Sequence, residues 1–132
     1  MNTACYCAAI RVVSRKTTTL YDEALAPCGV NLAQYSLMRR IERAGSPSLT
    51  ELGRVAELDR STVGRNVRVL QKMALVRPTS AEDLREAAVS LTPLGVETLA
   101  RAKPLWDGAQ RRVEATFGAE RAQTLIELAR AL

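Results

Sequence analysis

Histidine is absent from the chain. That removes histidine-based acid–base catalysis, histidine triads and histidine metal sites together. Cysteine is scarce, with only Cys5, Cys7 and Cys28, too few and too unevenly placed for a disulfide framework. No Gly-x-Gly-x-x-Gly or other phosphate-cradling loop occurs, so no cofactor is expected. No nucleophile has a visible base partner, which argues against an enzyme. Aromatic residues make up only 4%. The core must therefore come from Leu, Val, Ile and Ala, which favours packed helices. No run approaches the roughly 20 apolar residues of a membrane span. Residues 1–10 lack a basic stretch followed by a long apolar one. A cytoplasmic protein without a membrane partner is the expectation.

What is present is a chain of 132 residues, 47% apolar and 25% charged. That balance suits one ordered domain rather than a disordered segment. Lys and Arg number 19 against 14 Asp and Glu, a net charge of +5. Such an excess fits a polyanionic partner, although charge alone does not choose between DNA, RNA and a membrane surface.

Helical periodicity dominates. Tyr6, Ile10, Val13, Thr17, Leu20 and Ala24 follow a three-four spacing that predicts a helix over 3–25, ended by Pro27 and Gly29. Ala9, Tyr21 and Leu25 widen its apolar face, which needs more cover than a small domain offers, so a second chain is expected against it. A further helix is predicted over 32–44, with Tyr35, Leu37, Met38 and Ile41 inward. Ser48-Leu49-Thr50-Glu51 has the form of a reciprocal capping box. It opens a short helix with Leu49, Leu52, Val55 and Ala56 inward. Asp59 then suits the N-cap of a helix over 60–73, on which Val63, Val67 and Leu70 share one face. Strands are predicted over 76–80 and 88–91. Pro78 restricts the first to an edge, and an isolated hairpin has nothing but edges. Thr92-Pro93 starts a long helix to about Phe117, with a kink expected at Pro104. Gly118 separates it from a last helix, in which Ala122, Leu125, Ala129 and Leu132 form the inner face.

Two short helices joined by a few residues are the pattern of a helix-turn-helix. On the second, Ser61, Arg65 and Arg68 lie opposite the apolar face, with Thr62 and Asn66 beside them. Arginine can bond guanine through two donors, asparagine can bond adenine, and a hydroxyl can meet a base edge or a phosphate. The helix's first amides are also expected to meet a phosphate. The same residues would equally make an ordinary solvated face; the capped helix before them and the charged hairpin after them favour a reading surface.

Together these segments resemble the MarR family of bacterial regulators. Leu58-Asp59-Arg60-Ser61-Thr62-Val63 is similar to the opening of the family's recognition helix. Asp83-Leu84-Arg85, followed by Leu91-Thr92 and Gly95, is similar to its wing signature. Ala102-Lys103-Pro104-Leu105-Trp106 and Ala109-Gln110 resemble its fifth helix. The resemblance implies a mainly α fold with a small β-hairpin wing. In it a winged helix-turn-helix lobe (31–92) joins a helical dimerisation region (1–30 and 93–132). It implies a homodimer on double-stranded DNA, with two recognition helices in successive major grooves of a pseudo-palindrome. Arg60, Ser61, Thr62, Arg65, Asn66 and Arg68 would face the DNA. Arg85, steadied by Asp83, would enter the minor groove. This wing departs from the pattern, because Glu82, Asp83 and Glu86 surround a single Arg85.

Two switching modes follow from the resemblance. Cys7, ahead of Ser14-Arg15, resembles the peroxide-reactive cysteine of OhrR-type members, with Cys5 nearby and Cys28 at the far end of the helix. On one continuous helix Cys5 and Cys7 would point about 200° apart, so they would not readily bridge within a chain. Otherwise the three cysteines pack as small apolar residues. In the second mode a small aromatic effector binds between the dimer helices and the lobe, lined by Tyr6, Tyr21, Tyr35 and Trp106, which are otherwise core. The competing function is a protein-interaction winged helix without specific DNA binding.

Overall fold

A computed structural model describes residues 4–79 and 87–132. The elements run α1 (Tyr6–Leu25), one 3-10 turn (Ala26–Cys28), α2 (Leu32–Ala44), α3 (Leu49–Ala56), α4 (Arg60–Lys72), β1 (Val76–Thr79), β2 (Ala88–Leu91), α5 (Pro93–Phe117) and α6 (Ala119–Ala131). The fold is mainly helical with one antiparallel hairpin, as the periodicity predicts. Helix α1 begins at Tyr6 because Cys5 is extended, and its sulfur caps the helix by accepting from the Ala8 amide at 3.4 Å. Helix α2 has the reciprocal box that was expected at Ser48. Asn31 Oδ1 accepts from the Gln34 amide and Gln34 Oε1 from the Asn31 amide, each at 2.9 Å. At α3 only half of the box forms, Ser48 Oγ accepting from the Glu51 amide at 3.0 Å.

Rotation of each helix is set by what it buries. Tyr35, Met38 and Ile41 of α2 close over Leu52 of α3, Val63, Val67 and Leu70 of α4, and Leu99 and Ala102 of α5. Full burial of one such large side chain is worth about 1.5–3 kcal/mol. Leu25 and Val30 enter the same core from the end of α1 and the following loop. Val55 does not point inward as expected. It lies at the surface, and its carbonyl accepts from Arg40 Nη1 at 2.8 Å, tying α2 to the last turn of α3. Helix α5 continues through Pro104, whose missing N–H leaves the Ala100 carbonyl without its usual donor.

The terminal helices depart most from the expected burial. Tyr6 is 74% exposed and Ile10 66%, and α6 buries nothing fully. Of its expected inner face, only Ala122 is even half-buried. Tyr21 and Leu25 alone anchor α1 deeply, helped by a hydrogen bond from the Tyr21 hydroxyl to Gln110 Oε1 on α5.

The hairpin is better supported than two bare strands. Strand β1 pairs with β2 from Val76↔Leu91 to Thr79↔Ala88, and an isolated bridge joins Ser48 to Ala88 on the other side of β2. There the Leu49 amide donates to the Ala87 carbonyl at 2.9 Å, and the Val89 amide to the Pro47 carbonyl at 3.1 Å. Strand β2 is therefore flanked on both sides, contrary to the expectation of edges alone. Pro78 stands on the outer strand β1, where a missing donor is tolerated.

Candidate nucleic-acid interface

Asp59 organises the start of α4. Its Oδ1 accepts from the Thr62 amide at 2.8 Å, the N-cap bond expected of it, and from Ser61 Oγ at 2.7 Å. Its Oδ2 accepts from Thr62 Oγ1 at 3.1 Å. Thr62 Oγ1 in turn accepts from Arg65 Nη2 at 3.2 Å. The Ser61 hydroxyl, then the Thr62 amide and hydroxyl, hold the Asp59 carboxyl down at about 2, with the Arg65 charge assisting. Asp59 is thus an anion at every physiological pH.

Burial of Val63, Val67 and Leu70 turns the opposite face outward. Arg60, Ser61, Arg65, Asn66 and Arg68 are exposed there, and Thr62 is half-buried. The expected reading residues of α4 are therefore all accessible, with Asn66 at the border of a groove against α2. The Thr62 amide, one of the first of α4, is already used by Asp59 and so is not open to a phosphate. Asp83 and Arg85 lie outside the described residues.

The cysteines separate into two environments. Cys5 and Cys7 are exposed at the start of α1, whereas Cys28 is half-buried against the core. Because Cys5 precedes the helix rather than lying on it, the expected 200° separation does not apply.

Nor do the aromatic residues converge as expected. Tyr6 is at the surface and Tyr21 bonds Gln110, while Tyr35 and Trp106 stack with centroids 6.0 Å apart. Arg39 lies over both rings, 4.7 Å from Trp106 and 5.7 Å from Tyr35. Lys103 sits 5.9 Å from Trp106 and pairs with Asp107 at 3.1 Å. A groove of about 390 Å³ beside them is lined by Tyr35, Arg39, Arg43, Val96, Leu99 and Lys103, among others. Burial pushes the Tyr35 hydroxyl above its ordinary range, against the lowering pull of Arg39 and Lys103. Sequence reading missed Arg39 and Lys103; their spacing of four from Tyr35 and three from Trp106 was the available signal.

The model of the MarR family matches residues 29–86. The M. tuberculosis transcriptional regulator MosR, solved in complex with DNA, is similar over 97% of this chain and 96% of its own, with 31% identity and a TM-score of 0.84. The chain belongs to the MarR family. A curated relative, the uncharacterised HTH-type transcriptional regulator YhbI of Bacillus subtilis, is 30% identical over 93 residues. That stretch covers 70% of this chain and 60% of YhbI. The C80S mutant of E. coli MarR, complexed with operator DNA, has the same fold at 23% identity, with a TM-score of 0.86 over 94% of this chain and 90% of that one. Members of the MarR family are transcriptional regulators and not enzymes. Its winged-helix architecture agrees with the element order here. No helix among the described residues is long and apolar enough to cross a membrane.

Proposed function

We propose that this MarR-family regulator is a sequence-specific DNA-binding repressor acting as a homodimer on a pseudo-palindromic operator. The observation that supports it most is the outward polar face of α4, rigidly organised from Asp59 to Arg65. The DNA in the MosR structure adds to it, since that relative shares the fold and 31% of its residues. Arg65 and Asn66 read bases in the major groove, Ser61 and Thr62 sit beside them, and Arg60 and Arg68 meet phosphates at the margins. Asp83 and Arg85 serve the wing. The lobe is 31–92. Residues 1–30 and 93–132 form the dimer, supported by the uncovered apolar side chains Ile10, Val13, Leu125, Ile126 and Leu128.

Release follows oxidation of Cys7 or its neighbour Cys5, the two exposed thiols, with half-buried Cys28 less accessible to an oxidant. A small aromatic effector is the second mode, favoured by the groove beside Tyr35, Trp106 and Arg39.

The test is selection of bound duplexes from a random pool by the wild type and by Arg65→Ala. The wild type enriches a two-fold symmetric sequence, and the variant loses preference at one position per half-site, about 1–3 kcal/mol. Enrichment of no sequence would favour the competing reading, a protein-interaction winged helix.

A further inference from the structure

The hydroxyl protons at the start of α4 have a fixed destination. An ionised carboxylate only accepts hydrogen bonds. Ser61 Oγ and Thr62 Oγ1 both lie within bonding distance of Asp59, at 2.7 and 3.1 Å, so each hydroxyl donates to it. A hydroxyl has one proton. Neither hydroxyl retains a donor for a ligand. Thr62 Oγ1 also accepts from Arg65, which leaves little polar capacity on that side chain beyond its methyl group. Ser61 is different: it is exposed, and its oxygen accepts from no other group among the described residues.

We infer that Asp59 makes Ser61 an obligate acceptor, and that the base facing Ser61 is therefore one with a major-groove amino group, cytosine or adenine. Guanine N7 and O6 and thymine O4 are acceptors only, and they meet lone pairs there. The Asp59 charge acts in the same direction, because it disfavours an electron-rich base edge beside Ser61. Arg65 and Asn66, one turn further on, supply the donors. The recognition helix thus has a polarity along its axis: acceptor at the first turn, donors at the second. Asp59 is a positioning residue, acting on the DNA through Ser61. The inference rests on the DNA-reading function proposed above.

The experiment starts from the duplex that the full-length wild type enriches from a random pool, and measures binding to versions of it with every base pair changed in turn. The expected result is one position per half-site where cytosine or adenine on the contacted strand binds about fivefold better than guanine or thymine, the worth of roughly one hydrogen bond. Ser61→Ala, which leaves the cap intact, flattens that position and no other. Asp59→Gly removes the acceptor and still serves as an N-cap. With no carboxylate beside it the Ser61 proton is free to turn outward, so guanine and thymine become acceptable at the same position while helix content by circular dichroism is unchanged. Three outcomes overturn the inference: a guanine or thymine preference opposite Ser61, a profile untouched by Ser61→Ala, or a profile untouched by a folded Asp59→Gly. If Asp59→Gly loses helix content, Ser61→Ala decides alone. A wild type that enriches no sequence overturns the DNA-reading function itself, and this inference with it.

Discussion

The Thr92 hydroxyl donates a 2.6 Å hydrogen bond to the Ala74 carbonyl, eighteen positions earlier in the chain. Ala74 needs the support, because it sits in the left-handed region at φ 61°, where a Cβ is strained. The same hydroxyl caps α5 by accepting from the Gly95 amide at 3.0 Å, and the Thr92 amide donates to the Leu75 carbonyl at 3.0 Å. Gly95 completes the contact: a Cβ there would drive into the Leu75 carbonyl oxygen. Thr92 and Gly95 hold the α4–β1 turn against the first turn of α5.

Substitution at these two positions is expected to destabilise the fold without touching α4's exposed face. Thr92→Val removes the cap and leaves the Ala74 carbonyl unpaired, at a cost of about 1–2 kcal/mol. Gly95→Ala forces backbone to move and costs more, about 3 kcal/mol. Urea unfolding followed by circular dichroism checks both. A Gly95→Ala midpoint equal to that of the wild type would contradict the steric account.

Association should depend on the uncovered apolar surface of α1 and α6. Leu125→Lys places a charge where an apolar contact is expected, and it should shift sedimentation at micromolar concentration from dimer toward monomer. Thr50→Lys, exposed on α3 and outside the proposed dimer region, serves as a control. An unchanged dimer in Leu125→Lys would place the interface elsewhere.

Binding should respond to salt and hardly to pH. With about eight phosphates neutralised per dimer, log K falls against log salt with a slope near −7. No side chain type with an ordinary pKa between about 5 and 8 is present, since histidine is absent. Affinity is therefore flat from about pH 6 to 8. Asp59 matters only in acid. Its folded-state pKa of about 2 is depressed, so its contribution to stability is fully present above the ordinary carboxylate range near 4 and is lost as pH falls through 2. Acid unfolding of Asp59→Asn should lack that component.

Mild peroxide should weaken DNA binding by the wild type more than by Cys7→Ser, as followed by fluorescence anisotropy. An equal response in both proteins removes Cys7 from the switch. A response retained in Cys7→Ser but lost in Cys5→Ser moves it to the cap residue.

Helices with a buried stripe were legible in the sequence. Val63, Val67 and Leu70 on α4, and Tyr35, Met38 and Ile41 on α2, are buried at the spacing read from the chain. So was the cap at Asp59, because a short acceptor before a periodic run has one obvious use. What the sequence left hidden was geometry between distant segments. The bridge from Ser48 to Ala88, the bond from Arg40 to the Val55 carbonyl and the stacking of Arg39 on Trp106 leave no local periodic mark. The apolar stripe of α6 was read correctly as apolar, but a stripe does not say whether its cover comes from the same chain. The direction of the hydroxyl protons at Ser61 and Thr62 was equally illegible, since it depends on distances to both carboxylate oxygens.

Because β2 is hydrogen-bonded on one side to β1 and on the other to the segment that opens α3, hairpin and helix-turn-helix share a mechanical foundation. Pulling the hairpin outward means breaking the Leu49–Ala87 and Val89–Pro47 bonds, which also loosens the start of α3. The amides of Leu49 and Val89 should therefore exchange with solvent as one cooperative group. If the DNA-reading function proposed above holds, such a foundation fixes the distance between recognition helix and hairpin like the gauge of a caliper, and an operator with one base pair too many between their contacts would fall outside its jaws.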